Sequence, residues 1–369
     1  MRLLFWTSFG VVVYAYFGYA VLLAVLARLR RRPVSRRPIF PTLSIVIAAR
    51  NEALNLPAKL ENLRQLDYPQ ELMQIVIASD GSTDESVNIL RAAGPNVVPV
   101  VLESSQGKGS ALNAAVRQAT GEVLVFLDAR QSVDASAVEE MVSCFADAEV
   151  GAVSGELLLE TSPGQVADNA LGLYWKIEKL VRKLESATGS VVGVTGAIYA
   201  IRRELYVEIP AGTLLDDVWV PMQVAKQGKR VIFEPRAIAR DKLFSEKGKE
   251  FSRKVRTLTG NYQLLQLAPW MITPANPLLF RLVSHKLLRL VVPMLLVVMM
   301  LSAALGHSPL YWGIFWLQLA FYTLAWVGAG VPSAKNLKPV AIANTFVMLN
   351  AAAAMAFYNF VAGRKKLWR

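Results

Sequence analysis

The sequence predicts an α/β domain built on a mostly parallel sheet and set between apolar segments at both ends of the chain. Three observations carry this. Apolar runs of strand length alternate with helical stretches through residues 42–250, short polar clusters stand where those runs end, and long uncharged stretches flank the region. Strand–helix alternation gives a parallel sheet whose ligands bind beyond the C-terminal ends of its strands.

The chain begins with Leu3 to Leu29, nearly free of charge and long enough to cross a hydrocarbon core of about 30 Å. Arg28, Arg30, Arg31, Arg32, Arg36 and Arg37 follow it, with only Arg2 before. That asymmetry places the next domain in the cytosol. The run is also too long, and its charge too late, for a cleavable leader. Pro33 and Pro38 make residues 31–41 an extended linker. LSIVIAA (Leu43–Ala49) then reads as a strand buried on both faces. A helical stretch from Leu54 to Leu66 follows, and QIVIASD is a second buried strand. Further strands fall at Val97–Leu102 and Val123–Leu127, with helices over Ser86–Ala93 and Ala111–Thr120. Arg50-Asn51-Glu52 follows the first strand, Asp80-Gly81-Ser82 the second and Asp128 the fourth. DGSTD alone would pass as a turn that caps a helix. Three polar strand ends in one sheet indicate a ligand site.

After the domain, Phe251 to Phe280 mixes bases with leucines, Trp270 and prolines. This suits amphipathic helices at a membrane surface, or a plain linker. Three apolar stretches follow: Leu287–Leu305, Leu310–Val331 and Val340–Val361. The first two read as a hairpin with His307 in its external loop and Lys335 and Lys338 on the cytosolic side. A third crossing would put Arg364, Lys365, Lys366 and Arg369 outside, against the positive-inside tendency, so that stretch reads either as a crossing or as a re-entrant or interfacial helix. The expected divisions are 1–30, 31–41, 42–250, 251–285 and 286–369.

Composition narrows the function. Of 369 residues 54% are hydrophobic, and 40 Lys and Arg against 28 Asp and Glu give a net charge of +12. Much of that excess borders the apolar segments, where it suits anionic headgroups. No zinc spacing or interleaved basic-aromatic pattern points to nucleic acid. Cys144 is the lone cysteine, which rules out an internal disulfide. His285 and His307 lack the spacing of metal ligands and read as interface residues or caps.

In order along the chain, AARNEALNL, ASDGSTDES, QGKGSALNAA and VFLDAR resemble the nucleotide-sugar half of a family 2 glycosyltransferase. TGAIYAIRRE, LLDDVW and QGKRVIFEP resemble its acceptor half. The likeness covers residues 42–265 and implies a GT-A fold, Rossmann-like, with inverting transfer from a nucleoside diphosphate sugar, UDP-linked by expectation. The flanking helices resemble those of bacterial synthases of hyaluronan, cellulose or poly-N-acetylglucosamine. The resemblance implies a multi-pass protein of the bacterial inner membrane with a cytosolic catalytic domain. Its partners would be the donor, a glycan or lipid-linked acceptor, the bilayer, and in some settings an accessory export or regulatory subunit.

Residue by residue, the resemblance assigns Asp80 to the uracil or ribose, with the backbone of Ala49, Asn51 and Glu52 closing over the base. Lys108 stands near the donor, between Gly107 and Gly109, which let backbone approach phosphate. Asp128 is the first acid of the DxD motif and would ligate Mg2+ or Mn2+ against the diphosphate. The motif here reads Asp128-Ala129-Arg130. Either the metal is held by Asp128, diphosphate and water, or Arg130 contacts phosphate or sugar itself. Asp216 and Asp217 stand for a Glu-Asp pair, with Asp217 as general base and Asp216 raising its pKa; the structural alternative is a helix cap. Gly193, Thr195 and Gly196 would border the acceptor. In place of QxxRW the chain has Arg253, Arg256 and Thr257, so Arg256 keeps a diphosphate role while the stacking Trp is absent. A non-catalytic scaffold is the third reading, opposed by intact Asp80, Asp128 and Asp217.

Overall fold

The computed structural model describes residues 1–160, 169–242, 249–331, 334 and 337–363. Its centre is an eight-stranded sheet in the order β3-β2-β1-β4-β7-β6-β8-β5. The strands are β1 (Leu43–Ala49), β2 (Met73–Asp80), β3 (Val97–Leu102), β4 (Val123–Asp128), β5 (Ser132–Val133), β6 (Val150–Glu160), β7 (Ile198–Arg202) and β8 (Arg230–Lys242). β1 pairs in parallel with both β2 and β4, with Ala49 opposite Ser79 and Ala48 opposite Asp128. The ends of β2 and β4 therefore flank the end of β1, which brings Asp80, Asn51 and Asp128 to one edge. β7 runs antiparallel between β4 and β6, and closes the second half of the sheet.

The apolar runs are explained by layers on both faces. On one face, α2 (Leu56–Arg64), α3 (Ser86–Arg91) and α5 (Ala137–Val142) pack Leu60, Leu63, Leu90, Val138 and Met141 against Ile45, Ile47 and Ile77. On the other, α4 (Lys108–Gln118) and α7 (Asp216–Lys226) bury Leu112, Val218 and Met222 on Val46, Val76 and Leu124. Burying side chains of this size stabilises by roughly 1.5–3 kcal/mol each. Gly121 marks the tightest approach, since a Cβ there would lie 2.3 Å from the Leu43 carbonyl carbon.

Helices α6 (Asn169–Thr188) and α8 (Lys249–Leu267) link this domain to four helices long and apolar enough to cross a membrane: α1 (Arg2–Leu29), α9 (Leu279–Ala304), α10 (Pro309–Gly330) and α11 (Lys338–Val361). Phe5 of α1 packs on Met299, Ala303 and Tyr311, and Tyr262 of α8 stacks on Phe360 of α11. α9 begins eight residues before the expected Leu287. Arg281 and His285, which break the apolar run in the sequence, bond to the Ser190 carbonyl and to Glu185 of α6. The last apolar stretch is one continuous helix of 24 residues. Lys335, Arg364, Lys365, Lys366 and Arg369 lie outside the described residues.

Candidate active site

Three strand-end loops are knitted together at the ends of β1, β2 and β3. Asn51 takes a left-handed φ of 54°, where a short polar side chain can bond locally. Its Oδ1 accepts from the Thr83 amide at 2.8 Å and its own amide donates to Ser82 Oγ at 3.1 Å. The Glu52 amide donates to Ser86 Oγ at 2.9 Å. Gly81 is required at the next turn: its φ is +62°, and a Cβ would sit 2.4 Å from the Ser105 nitrogen.

Asp80 is 2% exposed. Ser105 Oγ and the Gly107 amide donate to its Oδ2 at 2.9 and 3.0 Å, and the Gln106 amide donates to Oδ1 at 2.6 Å. Three of the roughly four acceptor positions of the Asp80 carboxylate are taken by this loop, and its Oδ1 accepts only one of the three bonds. Asp80 anchors the loop leading into Lys108. The sequence places an acid at the strand end, but the loop that consumes its hydrogen bonds lies 25 residues on.

Lys108 opens α4 and reaches across the sheet edge. Its Nζ donates to Asp128 Oδ1 at 2.9 Å and lies 3.4 Å from Asp216 Oδ2. Burial alone would push the ammonium down, but the Asp128 and Asp216 carboxylates outweigh it and hold Lys108 well above the ordinary lysine value. Asp216 and Asp217 form the first turn of α7, where the helix dipole favours negative charge. The N-cap position is Leu215, whose side chain makes no capping hydrogen bond. Burial first, and the Asp216 charge second, push the Asp217 carboxyl up to about 6. Such a group is mostly ionised near neutrality yet basic enough to take a proton.

Arg130 turns away from this cluster and pairs with Asp241 of β8, which also accepts from Gln131 Nε2 at 3.0 Å. Asp241 thereby ties two consecutive residues of the segment after Asp128 to β8. Beneath it, Lys59 is buried and donates to the Gln131 carbonyl at 2.8 Å; desolvation pushes its ammonium down to about 8.

Residues 193–196 lie against the start of α7. The Val194 amide donates to the Asp217 carbonyl at 2.8 Å. A Cβ on Gly196 would stand 3.9 Å from both Asp217 Oδ2 and Lys108 Nζ, so this glycine leaves open the space between base and lysine. Thr195 Oγ1 accepts from Arg182 Nη1 of α6 at 2.7 Å. From α8, Gln263 Nε2 donates to the Gly212 carbonyl and its Oε1 accepts the Leu214 amide, both at 2.8 Å. Gly260 lets that helix approach Leu215, where a Cβ would meet Cγ at 2.6 Å. Arg256 is half-buried on the same helix, and its donor role rests on the resemblance alone.

The structure thus brings together Lys108, Asp128, Asp216, Asp217, Thr195 and Gly196. Arg182, Lys59, Asp241 and Gln263 escaped the sequence reading. Only Gln263 left a signal, one turn after Gly260 on the same helix face.

Among the described residues no three His, Cys, Asp or Glu side chains cluster as a metal site. Asp128 has its second oxygen outside the Lys108 bond, and the buried Asp216 Oδ2 has no hydrogen-bond partner. This donor set suits a hard cation completed by diphosphate and water.

Residues 44–210 match the model of Glycosyl transferase family 2. The chain is 24% identical over 229 residues to a poly-β-1,6-N-acetyl-D-glucosamine synthase of Staphylococcus aureus, covering 60% of this chain and 55% of that protein. A Staphylococcus epidermidis synthase of the same name is 24% identical over 234 residues, covering 62% and 56%. The chain spans little more than half the length of these curated relatives. Among solved structures, the mannosyltransferase PcManGT from Pyrobaculum calidifontis, in complex with GDP-Man and Mn2+, superposes with a TM-score of 0.72. It covers 97% of this chain and 99% of that one at 23% identity. Residues 44–210 thus carry a family 2 glycosyltransferase domain, and the likeness in structure shows a GT-A-like fold.

Proposed function

We propose that this chain is an inverting glycosyltransferase of the bacterial inner membrane, acting at its cytosolic face. It moves a sugar from a nucleoside diphosphate donor, UDP-linked in our reading, to a hydroxyl of a growing polysaccharide, with export coupled to synthesis. The observation that carries this is the meeting of Asp217, its pKa raised to about 6, with Lys108 and the open Gly196 face. Asp217 takes the acceptor hydroxyl's proton as that oxygen attacks the anomeric carbon. The sugar–phosphate bond breaks on the opposite face, so the centre inverts. Lys108 brings a positive charge toward the departing diphosphate, and the loop held by Asp80 keeps it there. Asp128 would hold Mg2+ or Mn2+, which supplies further charge neutralisation when bound.

The synthase names of the curated relatives support a polymer and an N-acetylhexosamine donor. One observation favours a second reading, a single addition to a lipid-linked acceptor. Thr257 stands where a processive enzyme has the Trp under its glycan.

The test is incubation of the full chain in lipid nanodiscs with radiolabelled UDP-GlcNAc, UDP-glucose and GDP-mannose, followed by sizing of the product. We expect incorporation from one donor, its loss with EDTA and its return with Mn2+. High-mass product supports the polymer, and label that extracts with lipid supports the second reading. If no donor is turned over in any condition, the assignment fails.

A further inference from the structure

A buried polar cluster that the proposed chemistry does not use joins the sheet domain to the apolar helices. His285 of α9 is 2% exposed and lies between two carboxylates of α6, with Nε2 3.0 Å from Glu178 and Nδ1 3.0 Å from Glu185. Both ring nitrogens face acceptor oxygens, and the ring satisfies both only with two N–H donors. Tyr19 of α1 donates to Glu185 at 2.7 Å, and Arg289 donates to Glu178 at 2.9 Å. Arg281 donates to the carbonyls of Glu185, Ser190 and Thr188 at 2.6, 2.8 and 3.0 Å.

Desolvating this many charges is costly, and apolar packing would join the helices at lower cost. The cluster reaches further than the joint. Glu178 Oε1 is also 3.8 Å from Arg182 Nε, one turn along α6, and Arg182 Nη1 bonds Thr195 at 2.7 Å. Burial alone would push the Glu178 carboxyl up, yet His285 and Arg289 hold it well below the usual range. Lys286, next to His285, and Arg182 both oppose the rise in the Asp217 pKa, so charge from α9 and α6 is felt at the base.

We infer that His285, Glu178 and Arg182 form a positioning chain through which docking of the domain on α9 sets residues Thr195 and Gly196 beside Asp217. Only the description of that loop as the acceptor side rests on the proposed function, and the closing experiment reads loop position without any turnover. In the full chain in nanodiscs, Gly196→Cys supplies a thiol for a water-soluble maleimide. The buried Cys144 is the internal control, since it reacts only if the fold opens. Adding His285→Gln should raise labelling at position 196 by about threefold or more while Cys144 stays silent. If Cys144 reacts, the sheet domain has opened, and Arg182→Gln decides, because it cuts the last link and leaves the joint whole. Unchanged labelling in the variant with a silent Cys144 overturns the proposal. In a chain that turns over donor, Arg182→Gln should lower kcat about tenfold with donor KM within about twofold, and Arg182→Lys should recover part of the loss. A rise in donor KM at unchanged kcat would also overturn it, and a chain inactive with every donor would sink the functional reading alone.

Discussion

In the first half of the sheet, β3, β2, β1 and β4 run parallel, and each polar group arrives at the site from a strand end close to its own sequence motif. In the second half, β7, β6 and β8 mix directions, and the site is held by α6, α8 and β8: Arg182 on Thr195, Gln263 on Leu214, Asp241 on Arg130. The parallel half is a preformed cradle whose bonds run between neighbouring strand-end loops, Asn51 to Thr83 and Asp80 to Ser105. The mixed half places a base whose surroundings depend on α6, α8 and α9. Donor affinity should therefore follow residues of the first half, and turnover those of the second.

The comparison is broken most severely at Asp217. Asp217→Asn should cut sugar transfer by about 10²–10⁴-fold while binding of the nucleotide product, measured calorimetrically, persists. Near-normal transfer would remove the base from the mixed half. Next comes Lys108→Met, which takes away the charge bonded to Asp128 and facing Asp216. We expect a loss of about 100-fold in kcat/KM with a clear rise in donor KM; a kcat effect alone would make Lys108 part of the acceptor machinery. The smallest effect sharpens the distinction. Asp80→Asn loosens the loop before Lys108, and donor KM should rise about tenfold, about 1.4 kcal/mol, with kcat little changed.

The same division explains what could be read from the sequence. β1, β2 and β4 show as continuous apolar runs because both sheet faces are covered there, and Asp128 and Lys108 sit in motifs with a fixed local order. β6 and β8 were invisible as neighbours, because their pairing joins Val150 to Arg230 across the chain. Asp80 shows how an identity can be legible and its partners not: the strand end is local, while its ligands are three groups of a later loop. Arg130 was weighed as a phosphate contact, and nothing near it in sequence announces its partner Asp241, 111 positions away. His285 read as an ordinary interface residue because nothing near it in sequence announces the two glutamates of α6.

The central claim is that Asp217 is a base tuned by burial and by Asp216, and a pH profile of single-turnover transfer tests it most directly. Since the Asp217 pKa is raised to about 6 and only the ionised form accepts a proton, the rate should climb through about pH 6 and level off above it. Asp216→Asn removes the neighbouring negative charge, so that limb should move toward lower pH. A wild-type rate that stays flat from about pH 4.5 to 8, or a limb that Asp216→Asn leaves in place, would contradict the account.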